Sequence, residues 1–350
     1  MPGRDQQHAS SHPINPPSGE SLAALQAREA RRRLQLRRLL MHSPHTVFGV
    51  LTRLTRLPAA VALTLPVLCG ATLAWWETGA LSWVALIINL AATFMLALGT
   101  NVLSEYRDYR RALAAHVTEE TDPLATGYGV LGRGFIESEI APNLGYILLA
   151  ISALCGLWLP LMAGWPTLFF AGLSVVLIYF YANPPLQYGG RGWALGEIGL
   201  FVGYGLLQTL NSYYLQSQSI SWRALLICIP FGLLCVLVQH NYNLLFERRD
   251  WLMRKRTLAV SLGPLRALDA SALFTVAVHV AIVAIVSVAQ LPFSTLITLV
   301  ALPVALGAFA QIDRERLSME DFFQVYKAGV IAALWTGILF CFALVTAILW

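Results

Sequence analysis

About nine apolar runs, each close to the length that crosses a hydrocarbon core, occupy the chain from residue 57 to its end and leave little choice of fold class. A helix needs about 20 apolar residues to span a bilayer. The runs lie near 57 to 76, 80 to 104, 141 to 163, 166 to 182, 194 to 214, 222 to 245, 267 to 290, 292 to 311 and 328 to 350. Composition agrees: 57% of residues are hydrophobic and 12% charged, where soluble domains carry about a quarter charged. The expectation is an all-α, polytopic membrane protein with about nine transmembrane helices.

The net charge of +5 is placed for orientation and gives no reason to expect a nucleic-acid partner. Arg28, Arg31 to Arg33, Arg37, Arg38, Arg53 and Arg56 precede the first run, which by the positive-inside rule puts the N-terminus in the cytoplasm. Segments 105 to 140, 183 to 193, 246 to 266 and 312 to 327 hold most remaining Lys and Arg, whereas the turns near 77, 164, 216 and 291 hold almost none, Arg223 excepted. The C-terminus is therefore expected outside. Residues 1–20, rich in Pro, Ser, Gly and His, read as a disordered tail. Residues 21–50 read as a basic juxtamembrane segment suited to anionic lipid headgroups, and 51–350 as the membrane-embedded domain. The first apolar run is long and lacks a small-residue cleavage site, so no secretory signal is expected. A bacterial inner membrane is the expected location.

Two acidic pairs, Glu105 with Asp108 and Glu247 with Asp250, sit at cytoplasmic ends of these runs. Carboxylates beside a bilayer are costly unless they face a cavity, a cation or a metal. Each pair is spaced i, i+3 in a stretch that can continue the preceding helix, so both members can face one way. Arg107, Arg110 and Arg111 flank the first pair; Arg248, Arg249, Arg254, Lys255 and Arg256 flank the second. Carboxylates for divalent cations beside cations for phosphate point to a diphosphate site. The five cysteines fall inside predicted spans without a ligand pattern and read as packing residues. Among the histidines, His240 and His116 lie nearest the acidic pairs.

The run Asn101-Val-Leu-Ser-Glu105-Tyr106-Arg-Asp108-Tyr109 resembles the first acidic motif of the UbiA superfamily of intramembrane prenyltransferases, with Glu105 in place of an Asp and Ser104 in place of an Asn. Further matches follow in the family's order. They are the glycine-rich stretch 127 to 134, Tyr181-Ala-Asn183-Pro184-Pro185 with Tyr188, Arg191-Gly192 and Gly196-Glu197, and Asp250 followed by Lys255-Arg256-Thr257-Leu258. Aligning the last segment puts Phe246 where the second motif has its first Asp and leaves Glu247 one position displaced, about a 100° rotation on a helix. The resemblance covers roughly residues 50 to 350 and is nearest the menaquinone-type members.

That resemblance implies helices around a central cavity opening to the cytoplasmic face, and Mg²⁺-dependent transfer of a polyprenyl chain from prenyl diphosphate to an aromatic acceptor. Most of all it implies 1,4-dihydroxy-2-naphthoate in menaquinone biosynthesis, with 4-hydroxybenzoate, homogentisate, porphyrin-type or lipid-precursor acceptors as competitors. Glu105, Asp108, Asp250 and Glu247 are the expected Mg²⁺ ligands and catalytic acids, with Asn101 in support. Mg²⁺ suits this work because it binds through one or two carboxylates plus phosphate oxygens. Lys255 and Arg256, then Arg107 and Arg133, are the candidate pyrophosphate contacts, while most of the other basic loop residues are assigned to topology or to lipid headgroups. Tyr106, Tyr109, Tyr181, Tyr188 and Tyr242 can shelter an allylic cation, and Asn183 and Glu197 can line the acceptor pocket. The competing class is a transporter or non-catalytic quinone-binding protein of the same fold. A transporter would place its charges near the midplane, whereas the acids here sit at one face.

Overall fold

The computed structural model describes residues 46–117, 130–131 and 135–349. The expected tail 1–20, nearly all of segment 21–50, and Arg133 with most of the glycine-rich stretch lie outside these residues. The described chain is helical, and its only β-bridge joins Arg191 to Arg256. A short helix, Val47–Leu54, leads into the first span.

Eight helices are long and apolar enough to cross a membrane: Leu57–Thr78, Trp83–Ala114, Ile140–Ala163, Trp165–Ala182, Trp222–Leu245, Pro264–Val288, Phe293–Ala310 and Met319–Leu349. A ninth crossing is continuous but not uniform. It runs as α-helix over Leu195–Leu200, widens to a π-helix over Phe201–Leu207, and returns to α-helix over Gln208–Ser217. Counted in chain order this is the fifth span, and the described residues therefore contain the nine crossings expected from the apolar runs.

Local chemistry sets the ends. Ser82, Ser221 and Thr257 cap helices by accepting from the amides of Ala85, Ala224 and Val260 at 3.4, 3.1 and 3.3 Å, which satisfies donors that a first helical turn leaves open. The second span runs on past the expected boundary at 104 to Ala114, because helical residues continue after the apolar ones stop.

The first span lies at the centre: it packs on the second, fifth, sixth and ninth. The third and fourth spans are the least buried of the helices, each with 17% of its most apolar stretch buried. Lipid gives helices no hydrophobic reason to associate, so close backbone approach and polar contacts take over. The fifth span shows both. A Cβ at Gly205 would fall 2.2 Å from the Gly232 Cα of the sixth span, and one at Gly70 2.4 Å from the Thr209 carbonyl oxygen. Gln208 donates to Ser174 at 2.9 Å and Ser212 to the Val67 carbonyl at 2.5 Å.

Candidate active site

The second span carries Glu105, Asp108 and Arg111 on its last turns. The second acidic pair is positioned otherwise than the sequence suggested. The sixth span stops at Leu245, Phe246 leaves helical geometry (φ −109°, ψ 18°), and a separate short helix, Glu247–Leu252, begins. Phe246 is buried, its ring 4.8 Å from that of Tyr242. The change of direction there sets Asp250 against Asp108.

Two loops then lock together. The Arg256 amide donates to the Gly190 carbonyl at 2.8 Å, and the Lys255 amide to the Asp250 carbonyl at 2.8 Å. The Lys255 stem packs over Gly190, where a Cβ would meet the lysine Cγ in ordinary contact at 3.4 Å. Lys255 Nζ thereby reaches both acids, at 3.1 Å from Asp108 Oδ1 and 3.2 Å from Asp250 Oδ1.

Arg249 completes the cluster. Its Nη2 donates to Asp108 Oδ2 at 3.0 Å and to Asp250 Oδ1 at 3.2 Å, and its guanidinium lies 4.2 Å from the Phe246 ring centroid. Burial works against this charge, but Asp108 and Asp250 more than offset it, so the Arg249 pKa is raised and the side chain stays cationic. Arg111 approaches Asp108 to 3.8 Å. Arg56, at the head of the first span with φ 51°, lies 3.7 Å over the Tyr242 ring and 3.5 Å from Glu105. The cleft they surround is narrow, about 20 Å³, room for one water.

The expected site residues divide into two groups. Asp108, Lys255, Arg107 and Tyr181 line the cleft, and Asp250 lies directly behind Lys255. Glu105 is held by Arg56 instead of joining the two aspartates. Asn101 donates to the Thr55 carbonyl at 2.8 Å. Tyr106 and Tyr109 pack beside Val50, Leu54 and Val102. Tyr188 donates to the Leu177 carbonyl at 2.6 Å, Asn183 to the Tyr179 carbonyl at 2.9 Å. Tyr181 accepts from Asn243 at 3.4 Å, and Glu197 is buried at the start of the fifth span. Tyr242 lines the cleft as well. Glu247 is half-buried on the helix of Asp250 and outside the cleft lining. Arg256 is exposed and meets the site through its backbone alone. His240 bonds the Ala267 carbonyl at 2.9 Å, and His116 is exposed.

Assigning the remaining basic residues to topology misses Arg249, Arg56 and Arg111. Burial separates Arg249 and Arg56 from Arg248 and Arg53; in the sequence the signals are the adjacency of Arg249 to Asp250 and the i, i+3 spacing of half-buried Arg111 from Asp108. Arg56, Arg107, Arg111, Arg249 and Lys255 outnumber Glu105, Asp108 and Asp250, a balance suited to a polyanion.

The donors also fit a divalent cation of the Mg²⁺ type. Asp250 Oδ2 is buried without a partner, and Asp108 stands across Lys255 from it. No three His, Cys, Asp or Glu side chains converge among the described residues. A metal here would thus rely on one or two carboxylates with phosphate oxygens and water, the usual manner of Mg²⁺.

A model of the UbiA prenyltransferase family matches residues 63–328. The chain belongs to the UbiA prenyltransferase family. Solved UbiA folds agree with this. A UbiA homolog from Archaeoglobus fulgidus bound to GPP and Mg²⁺ superposes with a TM-score of 0.53 at 12% identity, covering 83% of this chain and 99% of that one. The apo UbiA homolog from Aeropyrum pernix gives 0.55 at 17% identity, over 79% and 96%. Among curated UbiA relatives, the 1,4-dihydroxy-2-naphthoate octaprenyltransferase of Mycobacterium leprae is 29% identical over 208 residues, 59% of this chain. That stretch is 66% of the relative, just under two thirds of its length. The enzyme of the same name from Mycobacterium tuberculosis is 30% identical, over 60% of this chain and 68% of its own.

Proposed function

We propose that this UbiA-family protein transfers a polyprenyl chain from prenyl diphosphate to 1,4-dihydroxy-2-naphthoate, with Mg²⁺, in menaquinone biosynthesis. The observation that carries this reading is the meeting of Asp108, Asp250, Lys255 and Arg249 at one end of an otherwise charge-poor bundle. Relatives named for the same naphthoate acceptor support it. A Synechocystis relative named 2-carboxy-1,4-naphthoquinone phytyltransferase, 28% identical over 150 residues, shares a naphthalenoid acceptor with a different chain. Acceptor class is thus better supported than chain length.

In this reading the carbon–oxygen bond of the allylic diphosphate breaks, pyrophosphate leaves, the prenyl carbon bonds to the acceptor ring, and the naphthoate carboxylate departs as CO₂, its bonding electron pair returning to the ring. Bound Mg²⁺ supplies Lewis-acid neutralisation of the leaving group. Asp108 and Asp250 would hold it; Glu105, engaged by Arg56, and Glu247, outside the cleft lining, would act at most from behind them. Lys255 and Arg249, now engaged by the two aspartates, swing their donors to the diphosphate oxygens as the cleft opens. Arg107, Arg56 and Arg111 line the approach; Arg133, a further candidate pyrophosphate contact, lies outside the described residues. The ring faces of Tyr181 and Tyr242 shelter the allylic cation from water. Asn183 and Glu197 border the acceptor pocket, and Asn101 keeps the second span against the loop before the first.

The site mouth faces the cytoplasm, and the protein resides in a bacterial inner membrane. Residues 51–350 form the catalytic domain behind a basic segment that meets anionic lipid. The direct test is product formation in proteoliposomes supplied with prenyl diphosphate and a panel of aromatic acceptors. Preferential prenylation of 1,4-dihydroxy-2-naphthoate is expected; preference for 4-hydroxybenzoate or homogentisate would transfer the chain to another branch of the family.

A further inference from the structure

A second cavity lies toward the other face of the bundle. It measures about 210 Å³ and opens between the third and fourth spans. Asn89, on the second span with Asp108, lies 19 residues before it, about 28 Å along the helix axis. Among the described residues no ionisable side chain lines this cavity. Its floor carries Asn89, Thr93, Ser152 and Gln208, and small residues such as Gly156 and Gly172 hollow its walls. A Cβ built at either glycine meets no atom within 4 Å.

Polar side chains in a membrane bundle often serve only to hold helices together. Most of these do. Thr93 donates to Gln208 at 3.1 Å, Gln208 to Ser174 at 2.9 Å, Ser152 to the Ala92 carbonyl at 2.7 Å, and Asn211 to Asn89 Oδ1 at 3.2 Å. Two atoms of the facing amides are left over: Asn89 Nδ2, a buried donor on a residue 1% exposed, and Asn211 Oδ1, a buried acceptor. The pair makes one hydrogen bond of the two that facing amides can share, and of the two residues Asn89 lines the cavity, so an acceptor brought into it would satisfy the free donor.

We propose that this crevice is a binding site for the ring head of a neutral prenylated quinone or quinol. Three properties select that class. The absence of charge excludes diphosphates and ionic headgroups. Asn89 lies six residues inside the helix end at Trp83, about 9 Å along the axis, more than the roughly 5–7 Å of one interfacial layer. The oxygen must then belong to a molecule whose head enters the hydrocarbon. The volume is below the roughly 300 Å³ of a site that encloses a whole ligand, so a ring fits and its chain stays among the lipid tails. Only the choice of quinone over other neutral carbonyl lipids rests on the function proposed above.

The test uses the full chain in nanodiscs with a diazirine-bearing prenylated 1,4-naphthoquinone, read by mapping the cross-linked peptides. Labelling is expected in residues 153–175, displaced by the unmodified prenylated naphthoquinone and not by a hydrocarbon of equal length. Gly172→Leu, whose side chain enters open space, should bring labelling to background while initial rates of prenyl transfer are unchanged. Asn89→Leu should weaken binding about tenfold, the scale of one hydrogen bond. Labelling confined to the cleft at Asp108, equal displacement by the hydrocarbon, or labelling that survives Gly172→Leu would each overturn the proposal. Labelled but inactive protein would count against the proposed reaction alone, and active but unlabelled protein against this site alone.

Discussion

Arg249 donates to Asp108 at 3.0 Å across 141 residues of chain. The contact ties the second span to the short helix after the sixth, and it places a permanent cation where two carboxylates face each other. Replacing Arg249 by Gln leaves Asp108 with Lys255 and the more distant Arg111. Breaking a buried pair costs about 3–5 kcal/mol, so a clear fall in thermal stability in detergent is expected, with turnover lowered on the order of 100-fold. Arg249→Lys should recover part of both. Wild-type stability and rate in the Gln variant would show the guanidinium to be a bystander.

Asp108→Asn and Asp250→Asn keep side-chain size and remove charge. Each should lower prenyl transfer on the order of 100-fold and raise the Mg²⁺ concentration needed for half-maximal rate. Glu247→Gln, outside the cleft lining, should act more mildly. Titration of Mg²⁺ against initial rate separates loss of metal from loss of folded protein.

Lys255 and Arg256 are neighbours with different prospects. Lys255 Nζ sits between the two aspartates, whereas the Arg256 side chain is exposed. Lys255→Gln should reduce turnover at saturating acceptor, since charge at the leaving group acts on the chemical step. Arg256→Gln should stay within about a factor of two, the usual range for a surface change. Equal losses in both single variants would mean that Arg256 turns inward when substrate binds.

The fold was largely legible because apolar run length reports span number directly. The runs near 194 to 214 and 328 to 350 illustrate its limits. The first conceals the π-helical stretch Phe201–Leu207, within which Gly205 packs against Gly232. The second starts earlier, at Met319, because polar residues extend the helix beyond the apolar stretch. Charge spacing foretold the meeting of Asp108, Asp250 and Lys255. It did not distinguish buried Arg249 and Arg56 from orienting arginines, since that difference exists only after the loops fold over the bundle. Nor did i, i+3 spacing reveal that Phe246 ends the sixth span before Glu247.

The Gly205–Gly232 approach allows a stability prediction. A Cβ at Gly205 would fall 2.2 Å from the facing Gly232 Cα, so Gly205→Ala must push two spans apart. Overpacking of this kind costs about 1–3 kcal/mol. A lower melting temperature in detergent is expected, while Gly307→Ala, whose Cβ meets open space, should change little. The reverse order would contradict the packing described between these spans.

Release of pyrophosphate from a prenyl diphosphate by the full-length protein in liposomes, with and without Mg²⁺ and 1,4-dihydroxy-2-naphthoate, tests the proposed chemistry most directly. Release is expected only when all three are present, in step with prenylated product, and strongly reduced in Asp108→Asn. Release that ignores Mg²⁺ or Asp108, or its absence from wild-type protein with every acceptor in the panel, would contradict a diphosphate site at the Asp108–Lys255–Asp250 cluster.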